Sequence, residues 1–255
     1  MEKIAVVTDT GSNLSFAQAK ELGIYLLPLQ ITIDETTYQD TLEISTQDIY
    51  NELANGKMPK TSMAAYQKIY DLFEELKKDY DTIFAVPLTN GLSTNASTMQ
   101  SIAHELEMNV HVIDMYATCA LEKHVAIWIK KLVDEHKSSE EILKIIQPAI
   151  DESNSLILVK NLQHLKRGGR LTPMAAALAG LLKIYPVLHI NKSTEGRIDV
   201  LNKVRTEKRA DAYAIDKIMD DIDIQHTHIY IIHSNFLEGA DHFKKCFIEK
   251  GVPEQ

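Results

Sequence analysis

The strongest constraint on the fold is a rhythm of short apolar runs. Residues 4–7 (Ile4, Ala5, Val6, Val7), 24–29, 83–88 and 110–114 are each four to six residues long and end at polar or turn-forming residues. Short continuous apolar runs of this kind read as buried strands. Helical stretches alternate with them. Ser15 with Gln18 forms an S-x-x-Q capping box, and Gly23 is the stop that follows. Further helices are expected over residues 45–53, which Gly56 and Pro59 follow, over 63–78, after Ser93, and over 120–136. Pro28 within the second run marks an edge or a bulge. Strand, loop and helix in alternation predict a mainly parallel sheet with helices on both faces. Sites in such sheets lie at the C-terminal ends of strands, where residues 8–12 and 89–93 fall.

The second half has a different pattern. Residues 156–159 read as a strand, 162–170 as a short basic helix or turn, and 172–182 as an Ala- and Leu-rich helix. Residues 185–190 and 197–204 are two strands joined around Thr194, Glu195 and Gly196, a hairpin signal and hence antiparallel pairing. A helix, a strand over 228–233 and a last helix to Lys250 follow. The expected organisation is two α/β domains, 1–153 and 154–255, the second with a mixed sheet. The chain stops at Gln255, where the pattern leads one to expect a further strand.

Composition narrows the function classes. The 255 residues are 45% hydrophobic and 25% charged, as in ordinary globular proteins. A net charge of −9 argues against nucleic-acid binding. Cys119 and Cys246 form no metal-ligand spacing and read as reduced thiols of a cytoplasmic protein. The N-terminus carries no signal peptide, and no apolar run reaches the length of a membrane span, so stable membrane insertion is not expected.

Two hydroxyl-rich segments carry the functional information. Thr61 and Ser62 follow Pro59; Thr89, Asn90, Gly91, Leu92 and Ser93 follow the third apolar run. Each reads as a loop ending on the first turn of a helix, where free N–H groups and a partial positive charge favour a small anion. Gly91 would let the backbone come close. The simpler role for such residues is helix capping. A catalytic serine is disfavoured, because residues 91–95 lack the second glycine of a nucleophile elbow. Neither nucleotide-binding glycine motif is present. Residues 166–170 are basic and flexible, suited to phosphate or simply a solvated turn. His226 and His228 would share a strand face, but no third metal ligand is placed, and no metal is expected. Asp9 and Asp114 stand at strand ends as a carboxylate pair or as acceptors for loop N–H groups. The helix from Thr172, with Met174, Leu178 and Leu181, is either buried core or one wall of a tunnel for an apolar ligand.

Taken in order, several segments resemble the DegV family of bacterial fatty-acid-binding proteins. They are Val7-Thr8-Asp9-Thr10, Thr61-Ser62, Gly91-Leu92-Ser93, Val112-Ile113-Asp114, Leu165 to Arg170, Leu182 to Leu188, and Lys203-Val204-Arg205-Thr206. The resemblance implies two α/β domains holding a long-chain fatty acid between them. It also implies a non-enzymatic carrier that presents the acyl carboxylate to a separate ATP-dependent kinase. On it, Thr61 and Ser93 would hold the carboxylate, with Ser62, Asn90 and Gly91 close by, and Arg170 and Arg205 would meet phosphate or the partner. The chain departs from the family's usual pattern at Thr89, Asn90 and Thr94. It also lacks the family's closing segment, a strand with a Gly-rich stretch that contains a His. The rival expectation is a small phosphotransferase or hydrolase using the same anion site on a polar substrate. A carrier calls for an apolar tunnel at Ser93, an enzyme for an open cleft with a base beside a hydroxyl.

Overall fold

A computed structural model describes residues 2–181 and 183–254. The chain forms two compact units. One runs to Asn154 and includes Asn191–Arg197; the other holds Ser155–Ile190 and resumes at Ile198.

The first unit is built on a four-stranded sheet of β1 (Ile4–Asp9), β2 (Tyr25–Leu27), β6 (Thr82–Val86) and β7 (Asn109–Val112), in the order β2-β1-β6-β7. All three pairings are parallel. Alternate side chains leave a strand on opposite faces, and both faces are covered. Val6, Phe84 and Val86 pack against Val125, Ala126 and Ile129 of α5 (Ala120–Asp134) and Ile142 and Ile146 of α6 (Ser139–Glu152). Val7, Ile83 and Ala85 face Ile69 and Phe73 of α3 (Tyr66–Leu76) and Met99 and Ile102 of α4 (Asn95–Glu105). Each large apolar side chain buried here contributes roughly 1.5–3 kcal/mol. α1 (Phe16–Leu22) begins at the expected box: Ser15 Oγ accepts from the Gln18 N–H, and Gln18 accepts from the Ser15 N–H.

Pro28 marks a real break. The run at 24–29 forms β2 only as far as Leu27; after Pro28 and Leu29 comes β3 (Gln30–Ile33), which belongs to a second sheet. That sheet is antiparallel, with β3 between β4 (Thr36–Gln39) and β5 (Lys60–Ser62). Asp34, at φ +55°, makes the tight turn from β3 to β4. Thr61 and Ser62, expected at a helix start, therefore lie on an edge strand opposite Ile31 and Gln30. The following helix begins only at Tyr66. α2 (Thr46–Ala54) is capped by Ser45 and buries no residue.

In the second unit, β9 (Tyr185–Asn191) lies between β8 (Asn154–Leu158) and β10 (Asp199–Val204), with β9 and β10 antiparallel as the hairpin signal predicts. Val187 packs with Ala210 and Ala214 of α9 (Glu207–Asp221) and with Phe243 of α10 (Leu237–Glu249). α7 covers Leu162–Arg167. α8 is shorter than expected, Pro173–Leu178, with Gly180 just beyond it, where glycine disfavours a helix. Leu182, the end of the expected helix, lies outside the described residues. Residues 228–233 are not a strand and join none of the sheets among the described residues. His226 sits in the preceding turn, its Nδ1 2.8 Å from Asp223 Oδ2, so His226 and His228 share no strand face.

Candidate functional site

The site is built where β6 ends and α4 begins. Between them, residues 89–94 wrap tightly: the Leu92 and Ser93 N–H groups both donate to the Thr89 carbonyl. Ser93 Oγ accepts from the Asn95 N–H at 3.2 Å, and Asn90 Oδ1 accepts from the Ser97 N–H at 3.2 Å. Both residues thus cap the first turn of α4. Ser93 keeps its hydroxyl hydrogen: among the described residues nothing accepts it.

β5 is brought to the same place. Met63, next to Ser62, has its sulfur within 3.3 Å of Thr94 Oγ1 and 3.3 Å of Thr98 Oγ1, both of which donate to it. Met63, the residue after β5, thus ties the end of that strand to the first turn of α4. Thr61 and Ser62 are exposed, and Ser62 Oγ donates to Gln30 Oε1 at 3.3 Å.

Gly91 serves a different contact from the one expected. A Cβ there would lie 2.1 Å from the carbonyl carbon of Gly196 and 2.5 Å from the Arg197 nitrogen. Gly196 in turn, at φ +73°, would place a Cβ 2.0 Å from Thr89 Oγ1. The turn at 194–197 and the loop at 89–91 thus interlock backbone to backbone. Glycine is needed at 91 for that packing and at 196 for both packing and conformation.

Two aspartates fix the loop. Asp114 accepts from the Asn90 N–H (3.0 Å) and the Tyr116 N–H (2.8 Å). Asp9 accepts from the Leu88 N–H (2.8 Å), the Gly11 N–H (2.8 Å) and the Asn95 side-chain amide (2.6 Å). Each carboxylate holds loop N–H groups, and the two do not form a pair. The carboxyl that does reach Asp9 is Glu122, from the first turn of α5. Sequence reasoning missed it, because an acidic residue in a helix's first turn ordinarily complements the dipole from the surface. Glu122 is instead fully buried. Burial, then the charges of Asp9 and Cys119, push it well above the usual carboxylate range. Burial also raises Asp9, against the opposing hydrogen bonds from Leu88 and Gly11. Burial pushes up the Cys119 thiol as well.

The remaining candidates lie in the second unit. Arg170 is half-buried and donates to the Gly168 carbonyl; Arg205 is exposed between β10 and α9. Met174 and Leu181 are exposed, at 60% and 52%, whereas Leu178 is buried.

The arrangement suits a small anion: hydroxyls and a helix N-terminus, with no basic side chain in the loop at 89–94. Among the described residues no imidazole or carboxylate hydrogen-bonds to Ser93 Oγ, and no group of acidic, His or Cys side chains could hold a metal. No helix is long and apolar enough to cross a membrane among the described residues.

Known proteins resemble this chain along nearly its whole length. A DegV domain-containing protein of Halalkalibacterium halodurans is 32% identical over 247 residues, covering 94% of this chain and 86% of the relative. The crystal structure of a fatty acid binding DegV family protein from Streptococcus agalactiae superposes with a TM-score of 0.88 at 28% identity, covering 99% of this chain and 89% of that one. The crystal structure of DegV, a fatty acid binding protein from Bacillus subtilis, gives 0.85 at 27% identity, covering 98% and 89%. The family model for the uncharacterised proteins of the DegV family matches residues 3–254, and with this fold and these relatives the chain belongs to the DegV family.

Proposed function

We propose that this protein is a non-enzymatic, cytoplasmic carrier of a long-chain fatty acid. It presents the acyl carboxylate to a separate ATP-dependent kinase, which transfers phosphate to it and so forms an acyl phosphate and ADP. The observation that carries the reading lies at the N-terminus of α4, where Ser93 keeps an unused hydroxyl hydrogen and Met63, the residue after Ser62, packs against Thr94 and Thr98. The two DegV proteins of Streptococcus agalactiae and Bacillus subtilis, described as fatty acid binding, support it.

In this reading Ser93 and Thr61 donate to the carboxylate, while Ser62, Asn90 and Gly91 shape the loop around it. A carboxylate leaving water needs such donors to stay ionised. The acyl tail supplies most of the affinity, about 0.8 kcal/mol for each buried CH₂. Met174, Leu178 and Leu181 are the apolar side chains assigned to the tail, and Arg170 and Arg205 to the phosphate or the partner. A hydrolase or phosphotransferase would want a base beside Ser93, and its hydroxyl has none among the described residues.

The test is mass spectrometry of an organic extract of the purified protein, followed by addition of fatty acid to the stripped protein. A long-chain fatty acid in roughly one-to-one ratio supports the carrier. An empty extract with no uptake of added fatty acid overturns it.

A further inference from the structure

Asp9 and Glu122 are both buried with none of either residue exposed to solvent. Asp9 Oδ2 holds the Leu88 N–H and the Asn95 side-chain amide. Leu88 and Asn95 bracket residues 89–94, so one oxygen grips both ends of the loop that carries Asn90, Gly91 and Ser93. Asp9 Oδ1 takes the Gly11 N–H.

Glu122 lies behind this clamp. Its Oε1 lies 3.2 Å from Thr8 Oγ1, whose single hydrogen it shares with the Val86 carbonyl at 2.7 Å. Its Oε2 is sealed from water and, as a carboxylate oxygen, meets no donor. A buried acceptor in that state is unfavourable. A proton resolves it: the neutral acid donates to Asp9. Oε2 and Asp9 Oδ1 lie on the same side of Gly11, 3.2 and 2.7 Å from the position a Cβ there would take. The ionisable groups facing Glu122 are Asp9 from β1 and Cys119 from the turn before α5. Around the pair, the turn after β1 and the end of β6 offer backbone N–H groups, and α4 offers the neutral Asn95.

We propose that Glu122 is a positioning residue for the carboxylate site: as a neutral acid it donates to Asp9 and keeps Asp9 clamped on residues 89–94, and loss of its proton loosens the loop and releases the fatty acid. The proposal rests on the carrier reading for the ligand, but not for the clamp. The fatty acid's own carboxylate stays ionised across the neutral and alkaline range, so it does not produce the effect.

The experiment measures affinity for cis-parinaric acid, a fluorescent long-chain fatty acid, from about pH 6 to about pH 10. It compares the natural protein with Glu122→Gln, which still donates but has no proton to lose. Amide exchange of the peptide spanning residues 88–95, corrected for intrinsic rates, is followed in parallel. We expect the natural protein to lose affinity by about tenfold or more, and loop protection with it, as pH rises. Glu122→Gln should hold both nearly level. A level profile in the natural protein overturns the proposal, as does a Gln variant whose loop protection falls in step with it. If neither protein binds the probe at any pH, the carrier reading falls and loop protection alone decides the clamp.

Discussion

Gly91 has a packing role that its sequence context does not announce. From sequence it admits a ligand to the backbone; in the structure it admits the backbone of Gly196 and Arg197. A methyl group at 91 would fall 2.1 Å from Gly196, and neither backbone is free to yield. Gly91→Ala should therefore destabilise the protein by about 2 kcal/mol or more, read as a lower midpoint in chemical unfolding. Ser93 tells the opposite story, since capping and anion binding use different atoms of one hydroxyl. Its oxygen serves the Asn95 N–H, and the carrier reading assigns its hydrogen to the carboxylate. Ser93→Ala with Thr61→Ala should weaken fatty-acid affinity by about tenfold or more, as expected for hydrogen bonds to a charged group. Glu122 adds a pH dependence to stability. A carboxyl whose folded value is raised stabilises fully below its ordinary value of 4.5, and that stabilisation is lost as pH rises through the raised value. Relative to Glu122→Gln, the natural protein should lose unfolding free energy on going from about pH 5 to about pH 8. A constant difference across that range would contradict it.

Elements were legible in proportion to how much apolar surface they bury. β1 and β6 are the two inner strands of the four-stranded sheet, and their continuous apolar runs identify them. β3, β4 and β5 were missed because they are short and rich in Thr and Gln, and β5 is exposed throughout. Residues 228–233 show the reverse error. Their composition suits a strand, but strand character needs a neighbour to hydrogen-bond, and composition cannot supply one. The candidate site followed the same logic. Capping by Ser93 and Asn90 is local and could be read, whereas the Asp9–Glu122 pairing joins β1 to α5 and left no local signal. Burial also ranks the helices dynamically. α2 buries no residue, whereas α5 buries Val125, Ala126, Ile129 and Leu132. Amides of α2 should exchange through local opening, and those of α5 only in the slowest class, near the global unfolding free energy. Hydrogen exchange at residue resolution checks this, and equal protection in the two helices would contradict it.

For the whole molecule, the carrier reading separates two jobs that a single enzyme would combine. Binding is assigned to hydroxyls and a helix N-terminus, which hold a carboxylate without a basic side chain in the loop itself. Chemistry is assigned to a partner, which must reach that carboxylate and bring ATP with it. The basic residues of the second unit then fit the second job better than the first. Arg205 is exposed at the start of α9, and the segment leading to Arg170 carries Lys166 and Arg167. On a chain of net charge −9, the carrier reading assigns these cations to a phosphate or to an acidic face of a kinase. Arg205→Ala should thus leave fatty-acid affinity within about twofold, because the tail and the hydroxyls supply it. Acyl-phosphate formation with the partner kinase should fall by about tenfold or more, and more steeply in low salt, where screening is weakest. Ser93→Ala should do the reverse, weakening binding first and turnover only as a consequence. If Arg205→Ala instead releases the fatty acid while turnover per bound ligand is unchanged, the arginine belongs to the carboxylate site.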